Sequence, residues 1–251
     1  MTTTLRTTLR TTLRTTLRHL RAYRFVTLDD AAGWRDAIHA RAAQLGLKGT
    51  VLVAGEGINL NLAGTPAALE DFMAWLRADA LFSDLQAHYG AAPALPYRRL
   101  KVKHKREIIR MDQPAIRPAN GRAAALPPQT LARWLAAGHD DEGRPLALLD
   151  TRNAFEVDTG HFKGAIDWRL ARFGDFPAAL ATHRDELAGK TVVSYCTGGI
   201  RCEKAALLLR EQGIEAWQLE GGILGYFDAV GAAHFEGGCF VFDERESIAA
   251  R

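Results

Sequence analysis

Cysteine is scarce: only Cys196, Cys202 and Cys239 occur in 251 residues. An odd count gives no disulfide framework and favours a reducing compartment, the cytoplasm. No Cys-x-x-Cys pair and no cluster of cysteine with histidine occurs, so no metal site is expected. No apolar run approaches the roughly eighteen residues that a membrane helix needs, so no membrane partner is expected. No flavin, haem or iron motif is visible, so the sequence identifies no cofactor. Acidic residues are missing from residues 1–24, which carry six arginines. The formal net charge of +3 therefore becomes +3 − 6 = −3 for the remainder. The alkaline balance says nothing about the folded body, and nucleic-acid contact has to rest on a local patch.

What the chain has at its start is the repeat Thr-Thr-Leu-Arg, four times over residues 3–18. A period of four gives slowly drifting leucine and arginine stripes on a helix, which would suit a basic arm. Low complexity favours the plainer reading, a disordered leader over residues 1–20. It lacks the continuous apolar core of a secretory signal. Over the whole chain, 47% hydrophobic and 24% charged residues fit a soluble globular protein, and 251 residues leave room for two domains.

Residues 21–110 read as the first domain. A strand is expected at 23–28 and an amphipathic helix at 31–45. Strands at 49–54 and 58–63 flank Gly55-Glu56-Gly57, which is hairpin chemistry. Thr65-Pro66 opens a second helix with a cap and a first-turn proline. A strand at 81–89 completes βαββαβ, a ferredoxin-like α+β domain. Next comes a basic run that includes Arg98, Arg99, Lys101, Lys103 and Lys105. Basic and other residues alternate from 99 to 105, so a strand there would be basic on one face. Such a face suits phosphate contacts, and it equally suits an edge strand guarded by lysines. Residues 111–128, with five prolines and glycines from 113 onward, read as a linker that lets the domains shift.

Residues 129–235 read as an α/β domain with a parallel sheet, and residues 236–251 as a C-terminal segment. Strands are expected at 146–150, 191–195 and 215–219, with an apolar segment at 164–168. Helices are expected near 128–137, 177–188, 202–212 and 222–229. Ligands bind at the carboxyl ends of such strands, where Asp150 and Cys196 both fall. Cys196-Thr197-Gly198-Gly199-Ile200-Arg201 is the most informative stretch. The sulfur ends a strand just before a helix N-terminus, Gly198 and Gly199 let the loop curl its amides inward, and Arg201 adds positive charge. All favour a thiolate at Cys196 over an inert core thiol. Asp150 and Arg152 are read first as a buried ion pair that fixes the loop, and second as substrate-orienting groups. His161 is read as structural, Cys202 as loop packing ahead of a resolving thiol, and Cys239 as packed.

The loop resembles that of the rhodanese sulfurtransferases. So do Asp150-Thr151-Arg152, the segment Glu156 to Ile166 containing Gly160-His161-Phe162-Lys163-Gly164-Ala165, and Gly221-Gly222. The longer form Cys196-Thr-Gly-Gly-Ile-Arg-Cys-Glu-Lys204 narrows the match. With Glu56-Gly57-Ile58-Asn59, Leu100-Lys101-Val102-Lys103 and Gly238-Cys239-Phe240-Val241-Phe242-Asp243, it resembles the bacterial rhodanese-domain tRNA wobble-uridine hydroxylases. The resemblance implies an oxidoreductase that converts the wobble uridine of tRNA to 5-hydroxyuridine, with molecular oxygen as co-substrate. It also implies an essential loop cysteine that can pass through a persulfide. Thr197 stands where many thiosulfate-using rhodaneses carry a basic residue. That weakens the alternative, a sulfurtransferase acting on thiosulfate or a small persulfide. No sequence signal fixes an oligomeric state.

Overall fold

The computed structural model describes residues 17–92 and 94–249. The first half runs β1 (Leu17–Phe25), α1 (Ala31–Gln44), β2 (Lys48–Ala54), β3 (Gly57–Gly64), α2 (Pro66–Arg77), β4 (His88–Ala92) and β5 (Leu100–His104). Strand order is β4-β1-β3-β2-β5. The first four strands pair antiparallel, and β5 joins β2 in parallel at the edge. This is the expected ferredoxin-like α+β arrangement with one strand added. Thr65 caps α2 through Ala68 N–H at 3.2 Å, with Pro66 at the first helical position. Gly55-Glu56 turns β2 into β3. Gly57 has φ +138°, and a Cβ there would stand 1.9 Å from Arg24 O, so only glycine fits.

Period two divides the sheet. Leu20, Ala22, Val51, Val53, Ile58, Leu60 and Leu62 face α1 and α2, where Ile38, Leu69, Phe72 and Leu76 complete the core. The opposite face carries His19, Arg21 and Tyr23 of β1, with Asn59 and Asn61 of β3 paired beside Tyr23 and Arg21. That polar face is turned to the second domain.

Two expectations for this half need correction. The first strand begins at Leu17 rather than 23, so residues 17–20 of the expected leader belong to the sheet. Arg18, His19 and Leu20 sit between two partner strands, and Leu20 is fully buried. Residues 1–16 of that leader lie outside the described residues. The strand expected at 81–89 is a 3₁₀ turn, Ala80–Phe82, capped by Asp79, with β4 starting only at His88. Phe82 and Leu85 are buried while Leu81 is exposed, a spacing of three that belongs to a helical turn.

The second half continues with β6 (Ala125–Leu126), α3 (Pro128–Ala137), β7 (Leu146–Asp150), α4 (Ala154–Thr159), β8 (Gly160–Phe162) and β9 (Ile166–Asp167). Then come α5 (Phe176–His183), β10 (Thr191–Tyr195), α6 (Ile200–Glu211), β11 (Ala216–Leu219), α7 (Gly222–Val230), β12 (Phe235–Gly237), β13 (Cys239–Phe240) and β14 (Ser247–Ile248). The all-parallel sheet β6-β11-β10-β7-β9 has helices on both faces, as expected. Val192 and Leu149 pack with α5 and α6, while Val193, Tyr195 and Leu148 pack with α3 and α7. The expected linker is no free tether: Ile116 and Ala123 enter this core, and Ala125–Leu126 is its edge strand. Its prolines mark turns, but the apolar residues between them bind it down.

Candidate active site

Cys196 follows the last residue of β10 and is 1% exposed. Gly199 N–H donates to its Sγ at 3.1 Å. Gly199 takes φ +101° to start α6 at Ile200, two residues earlier than expected. The Cys202 thiol faces Gly199 O at 3.0 Å and the Cys196 sulfur at 4.0 Å. Burial pushes the Cys196 thiol up. The Cys202 hydrogen bond, the Arg201 charge and the backbone N–H groups of Cys202 and Arg201 outweigh it and bring Cys196 down to about 5. Burial, then the neighbouring Cys196, pushes Cys202 well above the ordinary thiol range. Burial pushes Cys239 up to about 11. Three similar residues thus meet opposite electrostatics, and only one is held as a thiolate.

The loop is propped from below. Ile223 and Leu224, in the first turn of α7, donate N–H to Cys196 O at 2.9 Å and Thr197 O at 3.2 Å. This close approach explains the Gly-Gly turn. Gly222 has φ +63°, and a Cβ there would lie 2.5 Å from Cys196 O and 2.9 Å from Gly198 N. Arg201 is not an open anion ligand. Its guanidinium makes a bidentate pair with the fully buried Glu156 at 2.5 and 2.8 Å. Glu156, which the sequence marks only as part of a motif, also accepts Asn153 N–H at 3.1 Å. Asp150 and Arg152 form a buried ion pair at 2.6 Å, and Arg152 donates on to Gly160 O at 2.8 Å. That is the loop-fixing arrangement. His161 contacts Val157 O at 3.2 Å, on α4, and stands outside the cleft described below.

The first turn of α6 also joins the domains. Lys204, 2% exposed, donates to Glu56 at 2.7 Å, Glu107 at 2.7 Å and Ile109 O at 2.9 Å. Glu203 accepts from Tyr23 OH at 2.9 Å and from Arg122 at 3.0 and 3.2 Å. A Cβ on Gly199 would lie 3.0 Å from Tyr23 OH, so the first domain reaches the cysteine loop itself. Phe25, Ala54 and Ile108 close an apolar seam beside it. Tyr23, Glu107, Glu203 and Lys204 were not singled out from sequence. The only available signal was that Glu56 and Glu203-Lys204 lie in motifs beyond the general rhodanese pattern.

Between the domains lies a cleft of about 1250 Å³ that reaches Cys196, Thr197, Gly198, Ile200 and Arg201 on one side. Its other wall is the polar face of the first sheet, with His19, Arg21, Tyr23, Thr50, Asn59 and Asn61. Lys101 and Lys103 are register partners of Thr50 and Leu52, so they lie on that same sheet face. Lys105, Arg98 and Arg99 are exposed nearby, and Arg98 pairs with Glu244 at 2.8 Å. Since β5 is also the sheet edge, both roles weighed for its lysines are geometrically open to them. Among the described residues no group of three or more histidine, cysteine or acidic side chains could hold a metal ion. No helix of the described residues is long and apolar enough to cross a membrane.

The thiolate gives a direct prediction. Alkylation of Cys196 by iodoacetamide should already be at its plateau at neutral pH and should fall only as the pH approaches about 5. Cys239 should react only in alkaline solution. Mass-spectrometric mapping of each cysteine against pH checks this, and an alkaline midpoint for Cys196 would contradict the cradle.

Residues 17–108 match the family described as UPF0176 acylphosphatase like domain, and residues 130–229 match the Rhodanese-like domain. A protein of Variovorax paradoxus (strain S110) is 60% identical over 232 residues, covering 92% of this chain and 88% of its own length. A protein of Bordetella petrii is 58% identical over 231 residues, covering 92% of each. One of Bordetella pertussis (strain Tohama I) is 58% identical over 233 residues, with 92% and 96% covered. All three bear the name tRNA uridine(34) hydroxylase.

Proposed function

Because the chain belongs to the tRNA uridine(34) hydroxylase family of these relatives, we propose that it converts the wobble uridine of tRNA to 5-hydroxyuridine. Molecular oxygen is the co-substrate, Cys196 is the reactive group, and the cytoplasm, where tRNA is used, is the site of action. The observation that carries the reading is a buried thiolate at the floor of a cleft whose opposite wall is polar and comes from another domain. A thiolate is the sulfur nucleophile. The amides of Gly199, Arg201 and Cys202 that hold it would equally hold the anionic sulfur of a persulfide. A volume of about 1250 Å³ exceeds ordinary small-molecule pockets and suits an extruded base with its neighbours.

Small-molecule sulfur transfer fits the geometry less well. A thiosulfate dianion needs a free cation beside the sulfur. Thr197 offers a hydroxyl, and the Arg201 charge is already taken by Glu156.

Charge reversal of Lys101, Lys103 and Lys105 together tests the RNA side. It should weaken tRNA binding, lower 5-hydroxyuridine in cells, and flatten the salt dependence by roughly one log–log unit per lost phosphate contact. Normal binding and modification by this variant would leave these lysines as edge protection only.

A further inference from the structure

The C-terminal segment beyond residue 229, which neither domain match covers, contributes Val241, Phe242, Asp243, Arg245 and Ile248 to the cleft lining. Glu244 reaches Arg98 at 2.8 Å, and Glu244 N–H donates to Pro96 O at 3.3 Å. Arg245 reaches His19 Nδ1 at 3.3 Å, while Arg21 reaches His19 Nε2 at 3.1 Å. A neutral imidazole has one acceptor nitrogen and cannot satisfy two guanidinium groups at once. Burial first, then Arg21 and Arg245, lower His19 to about 4, so at neutral pH it carries no charge. Asp243 pairs with Arg245. Among the described residues, no carboxylate lies within 4 Å of Arg21. Burial and the neighbouring Arg245 push the Arg21 guanidinium below its ordinary value. The corner holds one more cation than anion and would be relieved by a bound anion.

An aromatic feature adjoins it. Phe155, Phe240 and Phe242 pack edge to face, with centroids 5.1, 5.2 and 6.2 Å apart. Yet Phe242 is 64% exposed and Phe155 47% exposed. Phe242 lines the cleft and directly precedes Asp243, whose charge acts on Arg21. An exposed ring face offers no hydrogen-bonding edge, and it can stack on any base.

We propose that this corner is a nucleotide subsite for the RNA substrate. Arg21, backed by Arg245, takes a backbone phosphate, and Phe242 stacks on an unpaired base next to the one presented to Cys196. The subsite rests on the tRNA reading above and adds to it a place where the strand beside the target is gripped.

The test is fluorescence anisotropy of a labelled tRNA anticodon stem-loop with the full chain, from about 50 to 200 mM salt. Arg21→Gln should weaken binding and reduce the log–log salt slope by about 0.7, the single-strand value for one phosphate. Arg21→Lys should restore the slope, which a merely structural loss would not do. Phe242→Ala should weaken binding by about 5- to 150-fold with the slope unchanged, and Phe242→Trp should restore it. Its exposure makes Phe242→Ala safe for folding, and thermal melts monitor all four variants. Inorganic phosphate and a mononucleotide are run as competitors. Displacement of the stem-loop by either at concentrations where unlabelled stem-loop does not compete would overturn the RNA assignment in favour of a free-anion site. If the unaltered protein binds the stem-loop and the Arg21 and Phe242 variants bind equally well, the subsite is wrong and the tRNA reading stands. If the unaltered protein does not bind it, both fall. A change of oligomeric state on Phe242→Ala without loss of RNA binding would assign the rings to a second copy of the chain instead.

Discussion

Replacing Cys196 by serine should reduce tRNA hydroxylation by roughly 10⁴-fold or more, the scale seen when an activated nucleophile is removed. Affinity for tRNA should be nearly unchanged, because Cys196 contributes almost no surface to the cleft. The size of the effect follows from the cradle. Gly199 N–H and the first turn of α6 stabilise an anion on sulfur, and no comparable field makes a serine hydroxyl ionise at neutral pH. Folding should be preserved, since serine is smaller and the loop is fixed by Ile223 and Leu224 from outside. Single-turnover assays with purified protein and tRNA, beside a binding titration, check both halves. Residual activity within tenfold of the parent would reduce Cys196 to a packing residue.

The second large effect is expected at Lys204. Lys204→Met leaves the carboxylates of Glu56 and Glu107 facing each other without their cation. Breaking a fully buried pair from one side costs about 3–5 kcal/mol; here the carboxylates left behind are 20% and 19% exposed, so water takes up part of that cost and the loss falls below this range. Urea unfolding should show that loss. Adding Glu56→Gln and Glu107→Gln should recover much of it, since no uncompensated charge then remains. The same cluster predicts acid sensitivity. Burial pushes Glu107 up, but hydrogen bonds from Lys204 and from Met111 N–H outweigh it and hold Glu107 below the ordinary glutamate range. A depressed carboxylate stabilises fully above its ordinary value, and that contribution is lost as the pH falls through the depressed one. A Lys204→Met protein of unchanged stability would show that the apolar seam of Phe25, Ala54 and Ile108 holds the domains by itself.

The reactive cysteine was legible because its determinants are local. A β-branched strand, a glycine pair and a helix within a dozen residues fix where the sulfur sits, and the neighbouring amides follow from that geometry. The sheets were legible for the same reason, as periods of two and the Gly55-Glu56 turn survive in the sequence. The domain clasp was not. Lys204 and Glu56 are 148 residues apart, and nothing in a lysine among the other charged residues of α6 names its partner. The start of β1 was hidden by the four-residue repeat, whose last two residues, Leu17 and Arg18, open a strand that neighbours on both sides hold from Arg18 onward. The linker misled because its prolines mark turns while Ile116 and Ala123 decide where it packs. Arg201 was legible as positive charge beside the sulfur, but not its bidentate partner Glu156, which comes from another element 45 residues away.

The central claim is that this chain hydroxylates the wobble uridine of tRNA with molecular oxygen. Nucleoside mass spectrometry of tRNA tests it, from cells with and without the chain, grown under oxygen-18 gas. The account predicts 5-hydroxyuridine bearing oxygen-18 at the wobble position in cells carrying the chain, and its loss in cells carrying Cys196→Ser instead. Equal 5-hydroxyuridine with and without the chain, or a hydroxyl oxygen drawn from water, would contradict it.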